Sequence, residues 1–271
     1  MGTASYDLDG PKENQTKLFV KAGCKIDPLN VTCEVPQDME QRVDAADVII
    51  ISGGNSLFAN DRWKKIGLKN MFRSAMERGA VLTGGSAGAI CWFDAGHSDS
   101  WDSDSYKKKM LGEVSVAGKD ESSGAPKEGE AKKEWKYIRC PALGFMPGLM
   151  CPHHDKVQSN GVLRAIDFDG MMLRHPGERG ICIDHYAALV CEGENYRVLS
   201  LPGRPGSVLD GKFSPEQKGA PGMWQKDVIE GKVVSKLVPE SGKLVDLLKV
   251  AESIVDDPNC DLCRAENPDD C

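Results

Sequence analysis

Asp47-Val48-Ile49-Ile50-Ile51-Ser52-Gly53-Gly54 and, further along, Val81-Leu82-Thr83-Gly84-Gly85-Ser86-Ala87-Gly88-Ala89 decide how this chain folds. The first is a short β-branched run that ends in Ser-Gly-Gly, the pattern of a strand buried on both faces and closed by a tight turn. Between the two stretches, Leu68, Met71, Phe72, Ala75 and Met76 share one face at helical spacing, and Gly79 stops that helix. The second stretch reads as another short strand, a glycine turn, and a helix through Ala89-Ile90-Cys91-Trp92-Phe93. Strand, helix, strand, turn, helix is a parallel α/β unit with a right-handed crossover.

Outward from that unit the pattern continues. Leu163, Ile166 and Met171 predict a helix, and Gly180-Ile181-Cys182-Ile183 and Ala187-Ala188-Leu189-Val190 predict strands, with 196–201 placed to pair with the latter. Leu244, Leu247, Leu248 and Ala251 predict a last amphipathic helix. From Gly118 to Glu134 no aliphatic side chain is larger than Ala, so 107–134 is expected to be a charged surface insertion without a core of its own. The expected organisation is one α/β domain over 1–256, followed by a polar, cysteine-containing tail over 257–271.

Composition narrows the function. The chain has 271 residues, 40% apolar and 28% charged, with net charge −7. That balance offers no dense basic surface for phosphates, so a nucleic-acid partner is not expected. Lys107-Lys108-Lys109 reads as a solvated loop. No apolar run is long enough to span a membrane, and the first residues show neither a secretory signal nor, with Tyr6, a myristoylation site. A cytoplasmic protein without membrane contact is expected. Cys91, Cys140, Cys151, Cys182 and Cys191 lie in apolar runs and read as small buried hydrophobes. Cys260 and Cys263 have zinc-like spacing but no second pair of ligands beyond Cys271, so neither a metal nor another cofactor is expected.

A serine becomes a nucleophile only when its hydroxyl is exposed and a base can take its proton. Gly84-x-Ser86-x-Gly88 sits between a strand and a helix, where small flanking residues allow a sharp turn that presents the hydroxyl. The same turn aims the backbone N–H of Ala87 and the helix N-terminus at a developing oxyanion. The plain alternative is a glycine-rich turn with an incidental serine.

Ser52-Gly53-Gly54-Asn55-Ser56, Ser86-Ala87-Gly88-Ala89-Ile90-Cys91-Trp92-Phe93, Ser98-Asp99-Ser100, Cys151-Pro152-His153 and Gly180-Ile181-Cys182-Ile183-Asp184 follow in that order. Together they resemble the peptidase E and cyanophycinase family of serine peptidases, over about Tyr6 to Leu201. The resemblance implies a parallel sheet sandwiched by helices, akin to the class I glutamine amidotransferase architecture. It also implies an activity such as removing an N-terminal aspartate from small peptides or cleaving aspartyl-arginine polymers. Residue by residue it implies Ser86 as nucleophile and His153 as general base, with His154 at the aromatic position that follows. Asp184 is the preferred acid to orient the imidazole, and Asp99 is the other candidate. Gly53 and Gly54 would complete the oxyanion hole, Asn55 would fix that loop or touch substrate, and Arg164 or Arg179 would supply a cation for a substrate carboxylate.

Two departures from the family pattern are expected: loss of the first βα unit, since Met1 falls where an early strand should already be ending, and a charged insertion between nucleophile and base. An edge left open by a missing strand would weaken the sheet. The expected partner is a small peptide substrate, and a homodimer is left open. The competing functions are an inactive relative that only binds, and an esterase, which the absence of any histidine after His185 disfavours.

Overall fold

The computed structural model describes residues 1–100, 135–158 and 160–255. The expected insertion over 107–134 and the cysteine-containing tail over 257–271 lie outside the described residues. The fold is α/β, with parallel strands flanked by helices.

The opening unit forms as its sequence predicts. Strands β1 (Val48–Ile51) and β2 (Val81–Gly84) run parallel, from Val48 opposite Val81 to Ile51 opposite Gly84. Helices α3 (Ser56–Lys65) and α4 (Leu68–Glu77) connect them. Asn55 starts α3 by accepting the Phe58 N–H at 2.9 Å, which satisfies one of the free donors of the first turn. Arg62, Lys64 and Lys65 in its last turn face the negative end of the helix. On α4, Leu68, Phe72 and Ala75 are buried as expected, whereas Met76 is exposed. β1 differs from the expectation of burial on both faces. Ile49 and Ile51 join one core with Met39 and Val43 of α2 (Met39–Asp44) and with Leu68 and Phe72, while Val48 is 40% exposed. These helices cover only the face that carries Ile49 and Ile51.

The outer side of β1 meets the N-terminal residues. The Met1 amine donates to the Ile50 carbonyl at 2.7 Å, and the Ser52 N–H donates to the Met1 carbonyl at 3.0 Å. Thr3 then accepts the indole N–H of Trp63 at 3.0 Å. A helix α1 (Asp9–Lys21), which buries no residue, follows.

The expected helix through Phe93 is shorter than its apolar run. α5 (Ala87–Ile90) ends after one turn and the chain enters strand β3 (Phe93–Ser98). Trp92 and Phe93 are apolar because they are buried against Phe72 and Phe145, not because they continue a helical face; Trp92 meets both rings edge-on at 5.6 Å. Such pairs contribute about 0.5–1.5 kcal/mol each beyond area burial.

Among the described residues the main sheet has six strands. Parallel neighbours β3, β5 (Met146–Pro152) and β6 (Gly180–Ile183) form its centre. Antiparallel β4 (Ile138–Pro141) closes one side, and β11 (Met223–Ile229) with β12 (Lys232–Leu237) closes the other. Alternation along the central strands divides two cores. Met150, Ile181, Ile183 and Met223 face the core shared with α3, α4 and α5. Leu149, Cys151, Cys182 and Trp224 face Phe168, Met171 and Met172 of α6 (Arg164–Arg174), the helix predicted from Leu163, Ile166 and Met171. This two-sided burial explains why β5 and β6 read as continuous apolar runs.

Beyond β6, β7 (Ala187–Glu192) pairs antiparallel with β8 (Asn195–Ser200), as expected. β9 (Val208–Leu209) and β10 (Lys212–Phe213) form a small hairpin before β11. β13 (Ser241–Lys243) joins β8. The predicted last helix is a single turn, α7 (Leu244–Leu247), in which only Leu247 is buried. Cys91, Cys140, Cys151 and Cys182 are buried thiols, but Cys191 is exposed, because the strand β7 that carries it lies largely open to solvent. Among the described residues no helix is long and apolar enough to cross a membrane.

Candidate active site

Ser86 occupies the turn between β2 and α5 with φ 56° and ψ −120°. A non-glycine residue in that region stores about 1–3 kcal/mol of strain, which the surrounding packing must hold. The packing is tight. A Cβ at Gly84 would lie 2.5 Å from the Gly88 carbonyl oxygen, and one at Gly88 would lie 2.3 Å from that of Ile51. Only glycine lets the turn approach the end of β1 this closely. The Ser86 side chain is half-buried, and its hydroxyl has no hydrogen-bond partner among the described residues.

The Ser52-Gly53-Gly54 turn lies against it. A Cβ on Gly53 would sit 3.1 Å from Ser86 Cβ and 3.8 Å from its Oγ. Gly54 has φ +133°, and a Cβ there would lie 2.1 Å from the Ala4 carbonyl oxygen. Asn55 ties the turn down. Its N–H donates to the Ala4 carbonyl at 2.7 Å, and its side chain donates to the Ser100 carbonyl at 3.4 Å besides capping α3. Of the two roles expected for Asn55, these bonds engage it in fixing the loop. Neither Gly53 nor Gly54 uses its N–H in a hydrogen bond among the described residues, and the same holds for Ala87.

His153 follows β5 directly, as Ser86 closely follows β2, so both stand at C-terminal ends of parallel strands, where α/β proteins place their sites. Its backbone is left-handed, φ 51°. Burial pushes its pKa down to about 3, with the charge of Arg164 and neighbouring His185 and Lys156 acting in the same direction. The imidazole is therefore neutral at neutral pH. No hydrogen bond joins it to Ser86; its Nδ1 lies 2.8 Å from Nδ1 of His185.

The acids lie elsewhere. Asp184 is buried, and its Oδ2 accepts the Ser207 N–H at 2.9 Å, the Ser207 hydroxyl at 2.7 Å and the Gly222 N–H at 3.0 Å. Its Oδ1 is 3.6 Å from Nδ1 of His154, whose ring meets Phe213 edge-on at 5.1 Å, as suits an aromatic position. Asp184 thus stands beside His154, and neither it nor Asp99 is bonded to His153 among the described residues. Asp99, just after β3, is close enough for its charge to act on Arg164 and Tyr137. Arg164 is buried at the start of α6. It donates to the His97 carbonyl, its guanidinium carbon lies 4.8 Å over the Tyr137 ring, and its Nε has no partner. Arg179 pairs instead with Asp227 at 2.9 Å and lies outside this cluster.

His185 is the residue that sequence reasoning left without a role. The available signal was its position one residue after Asp184, just past the end of β6, whose neighbour β5 is followed by His153. No group of three or more His, Cys, Asp or Glu among the described residues is arranged to hold a metal.

An α/β fold that carries a strained, unbonded serine on a strand–helix turn, with a second glycine turn packed against it, fits the class of serine hydrolases. The profile of peptidase family S51 matches residues 2–199, and the chain belongs to that family of serine-type peptidases. It is 31% identical to a Trypanosoma brucei brucei protein named G2/mitotic-specific cyclin-1, over 95% of this chain and 78% of that one. It is 30% identical to the uncharacterized peptidase YgaJ of Bacillus subtilis (strain 168), over 56% of this chain and 52% of that protein. A solved Listeria monocytogenes EGD-e structure described as a "putative peptidase E protein" superposes with a TM-score of 0.46 at 15% identity, covering 70% of this chain and 77% of the other.

Proposed function

We propose that this serine peptidase hydrolyses small peptides through an acyl-enzyme on Ser86, with His153 as general base and a preference for an N-terminal aspartate. The reading is carried by the Ser86 turn, held in a strained backbone conformation with a free hydroxyl and with Gly53 packed against it. In the first step the hydroxyl oxygen bonds to the substrate carbonyl carbon while its proton passes to Nε2 of His153. The N–H groups of Gly53 and Ala87 receive the oxyanion. The C–N bond then breaks, His153 returns the proton to the leaving amine, and water repeats the sequence on the ester to free Ser86. The four-residue α5 adds little dipole of its own, so the backbone donors carry the oxyanion.

Arg164 supports an acidic substrate. Its guanidinium is buried beside the base with one nitrogen unpartnered, so a substrate carboxylate would gain a charge-assisted bond there. Asn55 holds the oxyanion loop in place. The cyclin name of the trypanosomal relative describes that protein, and the Ser86 turn finds no use in such a role. The seven free cysteines among the described residues suit action in a reducing cytoplasm.

The test is hydrolysis of an aspartyl dipeptide, beside its alanyl counterpart and a simple ester, by wild type, Ser86→Ala, His153→Ala and Arg164→Ala. The reading expects loss of turnover in the first two variants and loss of the aspartyl preference in the third. Turnover that survives Ser86→Ala contradicts it.

A further inference from the structure

We infer that His185 is the positioning residue of this site: it accepts a hydrogen bond from Nδ1–H of His153 and so frees Nε2 of His153 to take the Ser86 proton. The inference rests on the reading of Ser86 and His153 as nucleophile and base. It makes the third partner a neutral imidazole, where such sites ordinarily use a carboxylate.

The geometry that carries it is the 2.8 Å separation of the two Nδ1 atoms. A contact that short between ring nitrogens requires one proton between them, so one imidazole donates and the other accepts. If His153 donates, its lone pair is on Nε2, the form a general base needs; if it accepts, Nε2 carries hydrogen and cannot take a proton. The scaffold sets the pair deliberately. β5 and β6 are adjacent parallel strands with Pro152 opposite Ile183, so His153 leaves one strand and His185 the next at nearly the same level. The His185 backbone N–H is held by Asp155 Oδ1 at 2.7 Å, and its ring meets Tyr186 edge-on at 4.5 Å.

Neither carboxylate close by is hydrogen-bonded to His153 among the described residues. Asp184 gives one oxygen to Ser207 and Gly222 and turns the other to His154. Asp155 holds the His185 backbone and lies 3.9 Å from Lys156. The charged groups facing the pair are Lys156 and Asp155 from the segment after β5 and Arg164 from α6, while Arg204 sits 5.1 Å over the Tyr186 ring. Burial lowers the pKa of His185, with Lys156 adding to the effect, so His185 is neutral and able to accept.

A neutral partner orients the base but stabilises its imidazolium less than a carboxylate would, and this difference supplies the test. On the full chain, kcat and KM for an aspartyl dipeptide are measured across pH for wild type, Ser86→Ala, His185→Ala and His185→Glu. Expected is a loss in kcat of about 30-fold or more for His185→Ala with KM within about threefold. His185→Glu is expected to restore most of kcat and to move the acid limb of kcat/KM to higher pH, because its negative charge favours the imidazolium. The recovery of kcat in His185→Glu is the readout that a merely structural residue would not give. Activity abolished by Ser86→Ala but unchanged by His185→Ala overturns the inference alone; activity unaffected by Ser86→Ala removes the reading beneath it. Because a variant can misfold, nitrogen NMR of wild-type protein with labelled histidine decides independently. Hydrogen on Nδ1 of His153 is expected, and hydrogen on Nε2 overturns the proposal.

Discussion

Gly53 lies so close to Ser86 that a methyl group on it would stand 3.1 Å from the serine Cβ. The contact joins the two glycine turns into one site: the end of β1 supplies the wall against which the end of β2 presents its hydroxyl. Gly53→Ala is expected to shift one turn by a few tenths of an ångström and misplace an oxyanion donor. Losing such a donor costs about 100- to 1,000-fold in kcat, so a loss of at least tenfold is expected from this misplacement. Thermal unfolding should change little, because a contact of 3.1 Å is relieved by so small a shift. Steady-state kinetics beside a melting curve checks both halves.

The pH dependence follows from His153. Its pKa in the folded protein is lowered to about 3 from 6.5. Between those values the unfolded chain binds a proton that the folded protein refuses, so folding stability rises with pH through this window and is lost as pH falls through it. Activity should follow the same sign, with kcat/KM kept in mildly acid solution where an ordinary imidazole would be protonated and falling only at lower pH. The midpoint belongs to the coupled His153–His185 pair rather than to either ring. Urea unfolding at several pH values, with His153→Gln as control, measures it: the slope in that window should shrink in the variant.

Asp184 and Asp99 should separate cleanly. Asp184 accepts three hydrogen bonds that hold the segment around Ser207 and Gly222, and Ser207 in turn accepts the Trp224 indole N–H at 2.8 Å. Asp184→Ala leaves buried donors unpaired at about 1–3 kcal/mol each, so a loss of several kcal/mol in stability is expected. Asp99→Asn should barely affect stability and should act on substrate binding through Arg164, raising or lowering KM with kcat little changed. Denaturant midpoints and kinetics on the two variants check the difference.

Much of this was legible in the sequence because period and glycine placement are local signals. The β1–α4–β2 unit, α6 and the β7–β8 pair were each readable from side-chain spacing. The Gly84 and Gly88 contacts give physical content to a turn that pattern alone left ambiguous. What was not legible depends on partners distant in sequence. The run through Trp92-Phe93 looked helical because burial, not periodicity, makes it apolar. Antiparallel β11 and β12 carry no signal of the strand they join. The partners of Asp184 were hidden for the same reason: Ser207 and Gly222, which engage it, lie far along the chain. His185 comes to His153 only because two strands end side by side.

The central claim is that Ser86 is the nucleophile of a working peptidase site, and covalent labelling tests it most directly. A fluorophosphonate probe on the wild-type protein, followed by peptide mapping, should place one adduct on Ser86, absent from Ser86→Ala and much slowed in His153→Ala. An unlabelled wild-type protein, or an adduct that persists in Ser86→Ala, would contradict the account.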